Sequence, residues 1–279
     1  MKPFAIALSS VVLALSIAAC GTTTGPQAPG ALRAGTQTAS ALRQVPADYY
    51  KAAEGQQGQA LLRTLANVVS KHKDLGYDRA RDIMFQTVDD TDNDNVVECD
   101  YTGKTLANIT GKDAAYKGGK GFNAEHTWPQ SKGATGAAKA DLHHLFPTDC
   151  NANSRRSSFP FGNVSSVKWE EGGSKLGTDS KGRTVFEPRD DQKGNTARAI
   201  LYFYMVYGNR ADLENFRAEE TTLKQWHQAD PVTAEDLARN NAVYEAQGNR
   251  NPFVDRPEFV QAIGSFQGNG FKAPALSVR

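Results

Sequence analysis

Between residues 60 and 69 the apolar positions are Ala60, Leu61, Leu62, Leu65, Val68 and Val69, a spacing that gathers them on one face of a helix. A second, shorter helical pattern covers residues 77–85. Val96-Val97-Glu98-Cys99 then runs into Asp100-Tyr101-Thr102-Gly103, which predicts a short strand followed by a turn. Phe122-Asn123-Ala124-Glu125-His126 predicts another short strand, entered from the Gly-rich residues 117–121. Helical periodicity returns at 196–207, where Ala197, Ile200, Leu201, Tyr204 and Met205 form one stripe. Thr233 with Asp236 has the form of a capping box opening a helix that runs to Gln247, and Gly248 is a natural stop. Helices therefore flank a central region of short strands and long loops, with no internal repeat, and the fold class expected is α+β in one mixed domain.

The two ends of the chain do not follow these patterns. Lys2, an apolar run over residues 4–19 and the small pair Ala18-Ala19 have the form of an export signal, too short to span a membrane. Leu15-Ser16-Ile17-Ala18-Ala19-Cys20 resembles a bacterial lipobox, in which Cys20 is acylated and anchors the chain to a membrane; a plain secretory signal is the alternative. Gly21 in place of an aspartate favours an outer membrane or the cell surface over retention at an inner membrane. Residues 21–46 are Gly, Thr, Ala, Gln and Pro with few large apolar side chains, which predicts a flexible tether. The folded domain is expected over 47–270, with 271–279 as a tail.

Of the 279 residues, 39% are hydrophobic and 23% charged, enough for a substantial core. The net charge of +1 falls to zero once Lys2 is removed, so no global field draws the mature chain to a polyanion. Any such site must be local, and the stretch 101–170 carries nine Lys or Arg against five Asp or Glu. In an exported chain, Cys99 and Cys150 are a disulfide candidate; a zinc site with His143 and His144 is the weaker alternative, because no C-x-x-C spacing is present. Asp90, Asp92 and Asp94 have the alternation of a calcium loop, but Asn95 and Tyr101 stand where that loop needs Gly and Glu. They are read as a solvated acidic turn, with a loose calcium site as the alternative.

The chemistry concentrates in three strings: Phe122-Asn123-Ala124-Glu125-His126-Thr127-Trp128-Pro129, Asp141-Leu142-His143-His144-Leu145-Phe146-Pro147 and Asn153-Ser154-Arg155-Arg156-Ser157. Splitting a phosphodiester requires an activated water, neutralisation of charge on the phosphoryl oxygens and stabilisation of the leaving oxygen. A carboxylate and an amide oxygen suit magnesium, and an unliganded imidazole suits deprotonation of water. Serine-hydrolase and NTPase readings fall away, since Gly172-Gly173-Ser174-Lys175-Leu176 lacks the final Gly of the nucleophile elbow and Gly118-Gly119-Lys120-Gly121 lacks the Walker spacing.

These strings, with Tyr101-Thr102-Gly103, Phe186-Glu187-Pro188 and Gln247-Gly248-Asn249-Arg250-Asn251-Pro252-Phe253 in the same order, resemble the bacterial endonuclease I family, secreted or periplasmic nucleases built around a ββα-metal (His-Me) finger. The resemblance implies a β-hairpin whose first strand carries Glu125 and His126, packed on a short helix carrying Asn153. It implies that Glu125 and Asn153 ligate Mg2+, for which Mn2+ or Ca2+ can substitute, and that His126 is the general base. It further implies non-specific cutting of DNA, in some members also RNA, with 5′ phosphates on the products and no obligate protein partner. Arg156 would touch phosphate or hold the finger together. Some members place an arginine between the Glu-His and Asp-Leu-His strings to steady the transition state; residues 130–140 here have only Lys132 and Lys139. That leaves Arg155, Arg156, Arg198 and Lys132 as candidates for the role. His143 and His144 are read as structural, as are Trp128, Phe146 and Phe161, for which base stacking is the alternative. Residues 249–252 are read as ordering a loop.

Overall fold

In the computed structural model, which describes residues 45–209, 213–267 and 271–273, the first helical pattern forms α1 (Gly58–Val69), with Leu61, Leu62, Leu65, Ala66 and Val69 buried. Cys20, the export segment, residues 21–44 of the tether and residues 274–279 of the tail lie outside the described residues. The second pattern forms α2 (Tyr77–Ile83), which widens into a π-type turn over Met84–Val88 that buries Met84, Phe85 and Val88. The first strand, β1 (Val96–Glu98), pairs antiparallel with β2 (Thr105–Ala107), a partner that three residues of sequence did not announce.

A short helix, α3 (Lys112–Tyr116), leads to β3 (Phe122–His126) through Gly121, where a Cβ would lie 2.0 Å from the Ala115 carbonyl oxygen. Only glycine lets the end of α3 sit that close to the entry of β3. β3 pairs antiparallel with β4 (Leu145–Asp149), Glu125 facing Phe146 and His126 facing Leu145. Without a break the chain enters α4 (Cys150–Arg156), capped by the Asp149 carboxylate, which accepts from the N–H groups of Asn151 and Ala152. The hairpin and its helix are the ββα unit that the strings implied.

A three-stranded antiparallel sheet follows, β5 (Ser166–Glu171), β6 (Ser174–Thr178) and β7 (Thr184–Glu187), in sequential order. The next helix, α5 (Lys193–Tyr207), was expected to bury one stripe; instead every side chain from Thr196 to Tyr207 is buried. It packs against α1 and against α6 (Leu213–Ala229). Such a run, apolar on most sides with Arg198 paired to Asp236, belongs inside the protein rather than on its surface. The anticipated capping box opens α7 (Ala234–Gln247), and Gly248 ends it in the left-handed conformation. Two short helices, α8 (Pro252–Asp255) and α9 (Glu258–Ile263), close the core against α5 and α1.

Asp141, Asn249 and Arg250, polar side chains inside this core, have partners on other elements. Asp141 accepts from the hydroxyls of Tyr202 (2.8 Å) and Tyr207 (2.7 Å) and from the Gln247 amide (2.7 Å). Asn249 donates to the Val69 carbonyl and the Tyr202 hydroxyl, and Arg250 bridges Asp255 and Asn241. Residues 249–251 thus join α1, α5, α7 and α8, more than the ordering of one loop. The disulfide anticipated between Cys99 and Cys150 is not formed: both thiols are free. Cys99 Sγ accepts from the N–H groups of Asp149 (3.0 Å) and Thr102 (3.4 Å), a use of the sulfur that needs no bond to Cys150. Burial pushes both thiols above their ordinary range, which disfavours the thiolate.

The acidic turn is only partly solvated. Asp92 and Asp94 are exposed, but Asp90 is buried and accepts from the N–H groups of Asp94 and Asn95, and ligand oxygens of the three carboxylates lie within 4.8 Å of one another. No helix among the described residues is long and apolar enough to cross a membrane.

Candidate active site

Asn153 and Arg156 are three apart on α4 and so share the face that meets β3. Asn153 Nδ2 donates to Asn123 Oδ1 at 2.7 Å and lies 3.5 Å from the Ala124 carbonyl oxygen. A carbonyl can only accept, so the nitrogen is the side-chain atom turned to the strand, and the amide oxygen is left to face away from it. Arg156, buried, spends its guanidinium on the protein: Nη2 donates to the Thr127 carbonyl at 2.6 Å, Nη1 to the Ser157 carbonyl at 2.9 Å, and Nε lies 3.2 Å from Glu125 Oε1. That last contact is an ion pair without hydrogen-bond alignment, since Nε has no hydrogen-bond partner. Ser157, at φ +52°, turns the carbonyl that Arg156 grips. Of the two roles implied for Arg156, the geometry is that of holding the finger together.

Glu125 lies between Arg156 and Tyr101, whose hydroxyl donates to Oε1 at 2.9 Å. Burial raises its carboxyl to about 7, against the lowering effects of Arg156 and Tyr101. One guanidinium and one hydroxyl are thus not enough to hold the charge at its ordinary value. A divalent cation would complete the compensation, so the residues present fit a divalent-metal site.

His126 follows Glu125 on the strand and points to the other face. Its Nε2 lies 3.0 Å from the Lys139 carbonyl oxygen, which fixes the tautomer: Nε2 carries the proton and Nδ1 carries the lone pair. The Gln130 amide nitrogen makes a long 3.5 Å contact with Nδ1, and the ring packs on Tyr77 (5.3 Å) and His144 (5.5 Å). Burial, with His144 next in effect, pulls the imidazole down to about 3, so the ring is neutral across the neutral range.

Among the described residues β3 pairs with β4 alone, and an open cavity of about 630 Å³ is lined by residues from both of its faces, Glu125 and His126 among them, together with Asn153 and Arg156. The rest of the lining includes residues that sequence reasoning missed: Tyr77 and Arg81 from α2, and Lys112 and the exposed Tyr116 from α3. Tyr77 and Arg81 are four apart, which showed that they share a helix face but not where that face is aimed. Tyr101 lay within a matched string, but no role was assigned to it.

Other anticipated residues are elsewhere. Arg198 is buried against Asp236, Asn195 and the Asp230 carbonyl, and neither Arg198, Arg155 nor Lys132 lines the cavity. His143 and His144 each direct Nε2 at a backbone carbonyl, of Asn249 and Ala138 respectively, inside the core. Trp128 stacks on Phe203 at 4.8 Å, Phe161 lies under Arg156 and Phe146 under Arg239, so all three aromatics are engaged in packing.

Residues 57–258 match the family described as Endonuclease I. The extracellular ribonuclease of Bacillus subtilis (strain 168) is 33% identical over 77% of this chain and 77% of its own length. That of Bacillus amyloliquefaciens is 34% identical over 81% of this chain and 82% of its own. An extracellular deoxyribonuclease of Aeromonas hydrophila is 30% identical over 42% of this chain and 50% of its own.

Proposed function

Because this chain belongs to the endonuclease I family and is thereby a nuclease, we propose that it is an exported, metal-dependent and sequence-indifferent endonuclease that cuts DNA and also RNA, with His126 as general base. The observation that carries this reading is the tautomer of His126. Its Nε2 is tied to the Lys139 carbonyl, so Nδ1 carries the lone pair, 3.5 Å from the Gln130 amide nitrogen, and the ring lines the cavity that also holds Glu125 and Asn153.

Glu125 and the amide oxygen of Asn153 would hold Mg2+, with Mn2+ or Ca2+ able to substitute. When bound, the ion supplies positive charge to the phosphoryl oxygens and to the leaving oxygen. His126 Nδ1 takes a proton from water, the water oxygen bonds to phosphorus, and the bond from phosphorus to the 3′ oxygen breaks. The leaving 3′ oxygen takes a proton from solvent, and the products are a 3′ hydroxyl and a 5′ phosphate. Arg156 does not touch substrate in this scheme; it fixes Glu125 and the Thr127 carbonyl in place.

Both nucleic acids are proposed because the two Bacillus relatives matched over most of this chain are named ribonucleases, and the Aeromonas relative matched over less of it is named a deoxyribonuclease. A site gripping phosphate and sugar has no means of reading base edges, which favours sequence indifference. The names of the relatives, extracellular or periplasmic, support export, and Cys20 is proposed as the acylated anchor.

The test is cleavage of supercoiled plasmid, single-stranded DNA and RNA by the purified full-length protein with Mg2+, with EDTA, and with His126→Ala. Cutting should require metal and fall by about 10²–10⁴-fold in the variant. A folded wild type that cuts none of the three with Mg2+, Mn2+ or Ca2+ would refute the reading.

A further inference from the structure

Three cationic side chains line the catalytic cavity, from Arg81, Lys112 and Arg156. Phosphoryl transfer places growing negative charge on oxygens that a preorganised cation can meet, so which of the three has donors to spare matters. Arg156 is the most committed: each terminal nitrogen donates to a carbonyl, and Nε, without a hydrogen-bond partner, lies 3.2 Å from Glu125 Oε1. Lys112 is spent on Asp82, whose carboxylate accepts from its Nζ at 3.0 Å and from its backbone N–H at 3.0 Å.

Arg81 is different. Its only hydrogen bond among the described residues is from Nη2 to Asp78 one turn earlier, a carboxylate whose side chain is 79% exposed. Such an exposed pair is worth little and is easily exchanged for another anion. Nε is shielded from solvent yet has no hydrogen-bond partner. The guanidinium carbon sits 4.4 Å from the Tyr77 ring centroid, and that ring is 5.3 Å from His126. Contact with the ring restrains the guanidinium, whose planar fork suits bidentate contact with a phosphate.

We propose that Arg81 is a catalytic residue that grips the phosphoryl group being cut, with Asp78 as the placeholder anion when no substrate is bound. The arginine absent from residues 130–140 is then supplied from α2, some fifty residues upstream by sequence number. The proposal rests on the nuclease reading above.

It is tested by steady-state cleavage with Arg81→Ala and Arg81→Lys in the full-length protein, beside wild type and His126→Ala. Arg81→Ala should lower kcat by about 10²–10³-fold, the loss seen when one preorganised donor to a transition-state oxygen is removed, with the melting temperature held close to wild type. Arg81→Lys keeps the charge but not the fork, and should still lose about tenfold or more in kcat. A raised KM with unchanged kcat, or kcat within threefold of wild type in a folded variant, overturns the proposal. If Arg81→Ala does not fold, Arg81→Lys decides alone by the same criterion. Failure of the underlying reading looks different: wild type is then inactive, or His126→Ala cuts as well as wild type.

Discussion

Glu125 and Arg156 form a buried pair whose two members depend on each other. The carboxylate is raised to about 7 even with the guanidinium 3.2 Å away, so without Arg156 it would be harder still to ionise. Removing one partner of a buried pair leaves the other uncompensated, and here it also strips the Thr127 and Ser157 carbonyls of their donors. Arg156→Ala should therefore destabilise the protein by about 3–5 kcal/mol in chemical denaturation. A loss below about 1 kcal/mol would mean that the pair is not the brace it looks like. Arg81 is the opposite case: its anchor is an exposed carboxylate, so its replacement should be felt in turnover and hardly in melting.

Among the elements, α7 shows how a short local signal supports a distant contact. Thr233 and Asp236 cap its N-terminus reciprocally, and its other end carries Gln247 to Asp141 and the Leu142 N–H. Thr233→Ala removes the side-chain acceptor for the Asp236 N–H and should cost about 1 kcal/mol, read as a lowered melting temperature. An unchanged melting temperature would show that tertiary packing alone holds the helix. The finger is built by similar economy: Asp149 ends β4 and caps α4, so strand and helix meet at one residue, with no loop in which Asn153 could drift.

Across the whole molecule, buried histidines couple stability to pH. His143 lies in the core with its imidazole pulled down to about 4 by burial, partly offset by Asp141. Between about 4 and the unfolded value near 6.5 the unfolded chain binds a proton at this position and the native chain does not, so the His143 contribution is present at pH 7 and lost as pH falls through that window. Glu125, raised to about 7, acts in the opposite direction over part of the same range, so the total curve mixes both. His143→Gln isolates the histidine. Its stability relative to wild type should improve by up to about 3 kcal/mol between pH 7 and pH 4, at about 1.4 kcal/mol for each pKa unit displaced. A difference that stays constant with pH would sink this account.

The sequence by itself determined the parts in which chemistry is written locally. Glu125, His126, Asn153 and Arg156 stand in short strings whose spacing along β3 and α4 sets their relative positions, and α1 and α7 follow from periodicity and a cap. Tertiary structure decided what depends on the partner across a gap. It paired β1 with β2, assembled the sheet β5 to β7, buried α5 on every side and left Cys99 bonded to backbone N–H groups instead of Cys150. It also aimed α2 into the cavity, bringing Tyr77 to His126 and Arg81 to the rim. Spacing fixes which side chains share a face; only the packing of one element on another fixes what that face meets.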